Sequence, residues 1–401
     1  MKILYVFLDS TRSQGAIDKV KGKISGLATD GIEVRGIFLN EKIEREEADE
    51  TGLIRYYPAA KVELHPIYNR RYIRNFRTGI LYRRRMKSLY ARLTDITKSF
   101  NPDYILMRYP LANKWLLRYV SEFQGRIIFE HNTKEPEELE SNKSVSELSG
   151  MMYRDETEYG PQVLRAAAGI IGVTPEITRY EIARAGKNIQ SWTITNGIDF
   201  SGRTLRNEPP FDRKNIKLLF LGGSHAPWQG EDLLLRALAD YKGEYNVTLD
   251  FAGIFPKESQ QLAVDLGLTD QVKFHGTLAG RELEKLFDSS HAGIGTLALS
   301  RKKLKEAVSL KVREYLSRGL PVVLAYHDSD ISGNTELAPF VLQLEDTCSP
   351  PSMDAIVGFV CDFYNAQIAS GTVRDKASKV ISTTVKMEQL RHALSGLTMQ
   401  R

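Results

Sequence analysis

Glu306, Lys311 and Glu314 sit close together in the stretch Glu306-Ala-Val-Ser-Leu-Lys-Val-Arg-Glu314-Tyr-Leu-Ser-Arg-Gly-Leu-Pro-Val-Val-Leu324. Leu310, Val312, Tyr315 and Leu316 repeat at the spacing of one helix face. Ser309 is placed to cap that helix, and Lys311 falls in its first turn. A helix start leaves backbone N–H groups free, and the backbone at Ser309 and Leu310 would aim them at an anion. With an ammonium beside them, the natural anion is a phosphate. Glu314, three residues on and on the same face, would accept two hydroxyls, as from a ribose. Glu306, just before the helix, would accept hydroxyls from a second ring. The ligand implied is a nucleoside diphosphate carrying a sugar. The bare i, i+3 spacing of Lys311 and Glu314 also suits a solvated surface pair.

The rest of the chain must position these groups. Gly319 ends the helix, and Pro321 opens a buried strand, Val322-Val323-Leu324. A chain of 401 residues suits two domains of about 200 residues each. Its 42% hydrophobic and 26% charged composition is that of an ordinary globular protein. It contains no apolar run long enough to span a bilayer. The N-terminal Met1–Asp9 has no small-residue cleavage site, so it reads as a first buried strand and not a signal peptide. Cys348 and Cys361 are its only cysteines, which fits a reducing compartment and the cytoplasm. No Cys/His cluster has zinc spacing, so no metal site is expected.

Along the chain, apolar runs alternate with helical patterns. Strands are expected at Ile3–Leu8, Glu33–Leu39, Tyr104–Met107, Arg126–Glu130, Gly169–Val173 and Trp192–Thr195. The second half continues with Lys217–Leu221, Val247–Ala252, Val272–Phe274, Ala292–Gly295 and Leu320–Ala325. Helices fall between them, one opening at Thr174-Pro175 with an N-cap and a first-turn proline. Such alternation argues for doubly wound parallel sheets. The polar, Pro-containing residues 201–215 follow Asn196-Gly197-Ile198-Asp199, whose Asn-Gly pair reads as a turn with positive φ. The boundary is set there: residues 1–198 form one domain and 199–385 the other, and the helical pattern at about 386–401 follows the second. Residues 66–94 contain no acid but nine Lys or Arg interleaved with Tyr68, Tyr72, Phe76, Tyr82 and Tyr90. They are expected to form a basic amphipathic helix pair on an anionic surface, either a membrane or a lipid-linked phosphate. No nucleic-acid module accompanies them.

The central stretch resembles the E-x7-E segment of retaining family-4 glycosyltransferases of the GT-B fold, with Lys311, Tyr315, Gly319, Pro321, Val322 and Val323 in register. Asn196-Gly197-Ile198-Asp199 is similar to the linker element of that family. Leu221–Gly230 is similar to its diphosphate-gripping loop, although Ser224 and Gln229 stand where the family has Arg and Lys. The resemblance implies a GT-B architecture: two Rossmann-like domains facing a central cleft, the first for the acceptor, the second for the donor. It implies too that the helix at about 386–401 returns to the first domain. It implies transfer of a sugar from a UDP- or GDP-linked donor to a glycan or lipid-linked acceptor. Front-face attack assisted by the leaving phosphate is implied, without metal or other cofactor.

On that resemblance Lys311, Glu306 and His131 act at the reacting centre. Glu314, Gly222, Gly223, Ser224, Ser309, Leu310 and Gly276 bind the donor. Arg12, Gly15 and Asn132 lie on the acceptor side. Arg301, Lys302, Lys303 and Lys305 would add charge near the diphosphate, and His275 is read as packing. Two motifs are set aside. Gly293–Ala298 fits G-x-G-x-x-A but follows a helical pattern, so no NAD site is expected. Asp328-Ser329-Asp330 is read as turn chemistry and not as a metal-binding D-x-D. A nucleotide-sugar 2-epimerase of the same fold, or a non-catalytic nucleotide-binding subunit, are the competing readings.

Overall fold

The computed structural model describes residues 1–8, 14–29, 31–40, 43–59, 74–223 and 226–397. The chain divides into two compact units, Met1–Ile194 with Met387–Arg401, and Thr195–Lys386.

Unit 1 runs β1 (Lys2–Phe7), α1 (Gln14–Leu27), β2 (Glu33–Asn40), β3 (Glu47–Ala48), β4 (Ile54–Pro58), α2 (Arg74–Phe100), β5 (Tyr104–Arg108) and α3 (Lys114–Glu122). It continues through β6 (Ile127–His131), α4 (Glu135–Asn142), α5 (Glu147–Ala166), β7 (Gly169–Gly172), α6 (Pro175–Ala185) and β8 (Ser191–Thr193). Its eight strands lie in the order β3-β4-β2-β1-β5-β6-β7-β8. All neighbours are parallel except β3 and β4. The continuous apolar runs are explained by burial on both faces: Ile3, Leu4 and Val6 of β1 are fully buried, as are Ile127, Ile128 and Phe129 of β6.

Thr174 caps α6 as its sequence requires, its side chain accepting from Ile177 N, with Pro175 at the start. The basic segment departs from expectation. Its described part, from Arg74 on, is one helix, α2 (Arg74–Phe100), because no breaker stronger than Gly79 interrupts its helix formers. Residues 66–73 lie outside the described residues. The short β3–β4 hairpin lacks a long alternating pattern and was not anticipated.

Unit 2 comprises β9 (Asn215–Gly222), α7 (Glu231–Asp240), β10 (Asn246–Gly253), α8 (Lys257–Asp265), β11 (Val272–Phe274), α9 (Gly280–Ser289) and β12 (Ala292–Ile294). Then come α10 (Leu310–Ser317), β13 (Val322–Leu324), β14 (Val341–Gln343), α11 (Met353–Asn365) and α12 (Ser370–Ile381). The six strands, in the order β11-β10-β9-β12-β13-β14, are all parallel. The edge strand β14 was not anticipated. A last helix, α13 (Thr383–Ser395), leaves unit 2 at Lys386. Its Met387, Leu390 and Leu394 are buried in the core of unit 1 with Ile3, Tyr5 and Ile128. Each unit is thus a doubly wound α/β sheet.

Two glycines in unit 2 are demanded by geometry. Gly197 does not take the positive φ expected of an Asn-Gly turn. It is needed because a Cβ there would sit 2.7 Å from Thr383 Cα, where the linker passes the start of α13. Gly253 ends β10 at φ +121°, and a Cβ would lie 1.7 Å from the Gly222 carbonyl oxygen of β9. Gly253→Ala is therefore expected to cost at least about 2 kcal/mol, by combining strained backbone with a clash between two strands. Urea denaturation checks this; a loss below about 0.5 kcal/mol would show that the strand end relaxes freely.

Candidate functional site

In unit 2 the chain leaves β9 towards β10 on one side and returns to β12 on the other, so the sheet reverses direction between β9 and β12. Open α/β sheets bind ligands outside the carboxyl ends of their strands at such a point. Tyr315 of α10 marks it. Its hydroxyl accepts from Leu221 N of β9 at 2.7 Å and donates to Ile294 O of β12 at 3.1 Å. The ring is fully buried, so α10 is pinned across the two strands.

Lys311, in the first turn of α10, reaches back over β9. Its Nζ lies 4.0 Å from the centre of the Phe220 ring and donates to Gln229 Oε1 at 2.5 Å. Burial drives its pKa down to about 7, against the pull of the nearby Glu231 carboxylate. Glu231 opens α7, is buried, and accepts from Ser259 Oγ at 3.1 Å. Gln229 is one of the two departures from the family's loop. A lysine there would set a second ammonium against Lys311, whereas the amide oxygen holds Lys311 in place. Sequence reasoning treated Gln229 as a lost charge and missed this acceptor.

Gly222 ends β9 and Gly223 follows it, while Ser224 lies outside the described residues. Leu310 starts α10 and Ser309 precedes it at the N-cap position, but the Ser309 side chain makes no capping bond. It interacts instead with the Tyr326 hydroxyl, so the expected cap is corrected. Asn196 Nδ2 donates to Val308 O at 3.0 Å, tying the linker to the segment before α10. Glu306 pairs with His327 as a parallel bridge, and Ala307 N donates to His327 O at 3.1 Å.

Glu314 is held from two sides. Arg203 Nε donates to Oε2 at 3.0 Å and Arg318 Nε donates to Oε1 at 2.9 Å. Arg203, far away in sequence, carried no local signal. Gly276 follows β11 and accepts from Gly253 N at 2.7 Å. His275 is more than packing: its Nε2 lies 2.6 Å from Asp250 Oδ1.

Two other expectations change. Arg301 is bound bidentately to Asp232, at 2.8 and 2.9 Å, so its charge is already matched. Asp328 and Asp330 do form turn bonds, Asp330 N donating to Asp328 Oδ1 at 3.1 Å. They also form a buried ion-pair cluster. Arg313 of α10 grips both oxygens of Asp328 and donates to Asp330 Oδ2 at 2.8 Å, while Lys386 Nζ donates to Asp330 Oδ1 at 2.7 Å.

In unit 1, His131 ends β6 with its ring fully buried. It stacks on Tyr109 at 4.3 Å, and its Nδ1 lies 3.1 Å from Glu135 Oε2. Burial lowers its pKa to about 4, so the ring is neutral. Burial raises the carboxyls of Glu135 and Glu181. Among the described residues His131, Glu135 and Glu181 bring one ligand atom each within 4.8 Å, a set that could hold a cation. Arg184 already supplies positive charge there, 3.2 Å from Glu181 Oε2 and also paired with Glu156. Asn132 Oδ1 accepts from Lys19 Nζ at 2.6 Å. Gly15 belongs to the first turn of α1 and not to the preceding loop. Arg12 lies outside the described residues. No helix among the described residues is long and apolar enough to cross a membrane.

The model of glycosyl transferases group 1 matches residues 215–339, the span from β9 past α10. No curated protein matches the chain by sequence. Among solved structures, the chain is similar to the apo form of the lipopolysaccharide outer core galactosyltransferase WaaB, with 14% identity, TM-score 0.65, and 99% and 100% of the two chains covered. It is similar to HepE of Anabaena in complex with UDP, with 17% identity, TM-score 0.64 and the same coverage. It is also similar to sucrose-phosphate synthase of Thermosynechococcus elongatus, with 13% identity and TM-score 0.66, again over 99% and 100% of the chains. Site geometry in unit 2, a family match over the same residues and likeness along the whole chain agree: this is a protein of the GT-B fold, and residues 215–339 of its second unit are similar to the glycosyl transferases group 1 family.

Proposed function

We propose that the chain is a retaining glycosyltransferase that moves a sugar, of hexose type, from a nucleoside diphosphate to an acceptor hydroxyl without a metal ion. One observation carries this reading. A half-buried lysine, held by Gln229 over Phe220 at the reversal point of unit 2, has its charge disfavoured by burial until an anion arrives. Breaking the anomeric bond builds charge on the departing diphosphate, and an ammonium held at the end of β9 would stabilise it, with Gly222, Gly223, Ser224, Ser309 and Leu310 assigned to the donor. Glu314, oriented by two guanidinium groups, is assigned to the ribose. Glu306 is assigned to the transferred sugar and Gly276 to the neighbourhood of the base. His131, Asn132, Arg12 and Gly15 are assigned to the acceptor side. HepE has been solved with UDP and with UDP-glucose, which favours UDP-linked donors as the first to test.

The acceptor is proposed to be a glycan or lipid-linked molecule of polysaccharide assembly, met at the inner face of a membrane. Arg83, Arg84, Arg85 and Lys87 are exposed on α2. Lys114 and Arg118 flank the Trp115 ring at 4.8 and 4.9 Å, and Lys87 lies 5.9 Å away. A tryptophan among cations suits an anionic interface.

Incubation with UDP- and GDP-sugars, followed by chromatography, tests the reading. Slow release of free nucleoside diphosphate with the sugar unchanged is expected. A new sugar isomer would point to the epimerase instead. Binding without any turnover, even with polysaccharide or lipid acceptors added, would point to the non-catalytic subunit.

A further inference from the structure

Near the carboxyl ends of β1 and β6 in unit 1, two lysines share one carboxylate among the described residues. Lys19 and Lys23 lie one turn apart on α1 and share Glu130, the residue before His131 in β6. Lys23 Nζ is 2.5 Å from Glu130 Oε2 and Lys19 Nζ is 3.2 Å from Oε1. Lys19 also donates to Asn132 Oδ1 at 2.6 Å, and Tyr5 OH donates to Glu130 Oε2 at 3.1 Å. These side chains are nearly closed to solvent: 10% of Lys19, 4% of Lys23 and 9% of Glu130 remain exposed. An ammonium has three N–H donors. Lys23 has one acceptor and Lys19 two, so half of their donors meet no acceptor among the described residues. Arg108 stands beside Glu130 in register at the end of β5, and its field acts on both Lys19 and Tyr5.

A buried salt bridge needs one charge for one charge; a second buried ammonium on the same carboxylate is costly. The cost is visible in Lys19, whose pKa falls to about 7 through burial and the repulsion of Lys23, against the attraction of Glu130. Position gives the excess a purpose. The strand order of unit 1 reverses between β1 and β5, and the crevice outside strand ends at a reversal is where such sheets take ligands.

We propose that Lys19 and Lys23, held together by Glu130 and Asn132, form a subsite for a phosphoryl or carboxyl group carried by the acceptor. This rests on the glycosyltransferase reading and adds the acceptor's class: an anionic molecule with a free hydroxyl. Glu130 is the resident counterion that keeps two lysines together while the subsite is unfilled. The arriving anion takes the N–H donors that meet no acceptor among the described residues.

The test uses the full chain with UDP or GDP, whichever raises its melting temperature, present at saturation to fill the donor site. Inorganic phosphate is then titrated by calorimetry. Wild type is expected to bind it. Asn132→Asp, which sets a carboxylate beside Lys19 at nearly constant shape, is expected to bind it about tenfold more weakly or not at all. Lys19→Gln should do the same. Glycerol 3-phosphate, acetate and vesicles containing phosphatidic acid separate a soluble phosphate, a carboxylate and a lipid headgroup as the source. Nucleotide binding with phosphate affinity equal in wild type and Asn132→Asp would overturn the subsite alone. Absence of any nucleotide binding would overturn the transferase reading beneath it. Because Asn132→Asp removes no buried volume, a matching melting temperature shows that it folds and keeps the result readable.

Discussion

Lys311→Ala is expected to lower kcat/KM for sugar transfer by about 10²–10³-fold, with most of the loss in kcat. The ammonium sits in the first turn of α10, where backbone N–H groups already favour an anion, and Gln229 fixes its direction. It would act most strongly when the diphosphate carries its full leaving-group charge. A pH signature accompanies this. The ligand-free pKa is about 7, lowered by burial against Glu231. Above that pH the free protein holds Lys311 neutral, so binding a diphosphate must take up a proton. Donor affinity should therefore weaken as pH rises from about 7. Stability runs the other way. The unfolded chain keeps this lysine protonated up to its ordinary value of about 10.4 while the folded chain does not, so ligand-free stability gains as pH climbs through that window. Calorimetry in buffers of different ionisation enthalpy reads the proton uptake. A Lys311→Ala enzyme with wild-type kcat, or donor binding with no proton uptake at pH 8, would remove the role assigned to this residue.

The second large effect is on stability. Arg313→Met should destabilise unit 2 by about 3–5 kcal/mol, the cost of leaving buried charge without its partner. Arg313 and Asp328 are both fully buried, and Asp330 and Lys386 complete the cluster. Arg313 Nε also donates to the Asn196 carbonyl at 3.3 Å. The guanidinium thus ties α10, the loop after β13 and the linker together. Methionine fills much of the volume but leaves two carboxylates facing a single lysine. Pairing the change with Asp328→Leu should recover part of the loss, because an apolar replacement of both partners costs less than breaking the pair. Urea denaturation of both variants measures this. A single variant within about 1 kcal/mol of wild type would mean that water or Lys386 alone satisfies the cluster.

Arg313 shows where reading from sequence stops. It lies between Lys311 and Glu314, inside the stretch that carried the functional argument, yet nothing in its neighbours says that it faces Asp328. Likewise Glu314 was legible as an acid on a helix but not as the partner of Arg203. The two residues lie 111 positions apart, and spacing rules reach only one or two turns. Gln229 was legible as a departure from a familiar loop. Its use as the acceptor for Lys311 required both segments to be brought to the same strand end. Glu130, Lys19 and Lys23 were invisible as a group: Lys19 and Lys23 look like any i, i+4 surface pair until β6 places one carboxylate between them. Within the basic segment expected as a helix pair over 66–94, the described residues 74–94 lie in one continuous helix, since charge pattern says little about where a helix breaks.

What the amino-acid order determined alone was local and periodic. Apolar runs made strands buried on both faces, 3.6-residue patterns made the covering helices, and their alternation made two sheets that are parallel apart from the β3–β4 pair. The placement of Lys311 in the first turn of a helix belongs to the same class, because a few adjacent residues decide it. Tertiary structure decided which charges meet. Strand order created a reversal point in each unit, and burial there set the protonation of Lys311 and Lys19. Desolvation and long-range pairing depend on what packs around a group from distant parts of the chain, so no window of sequence contains them.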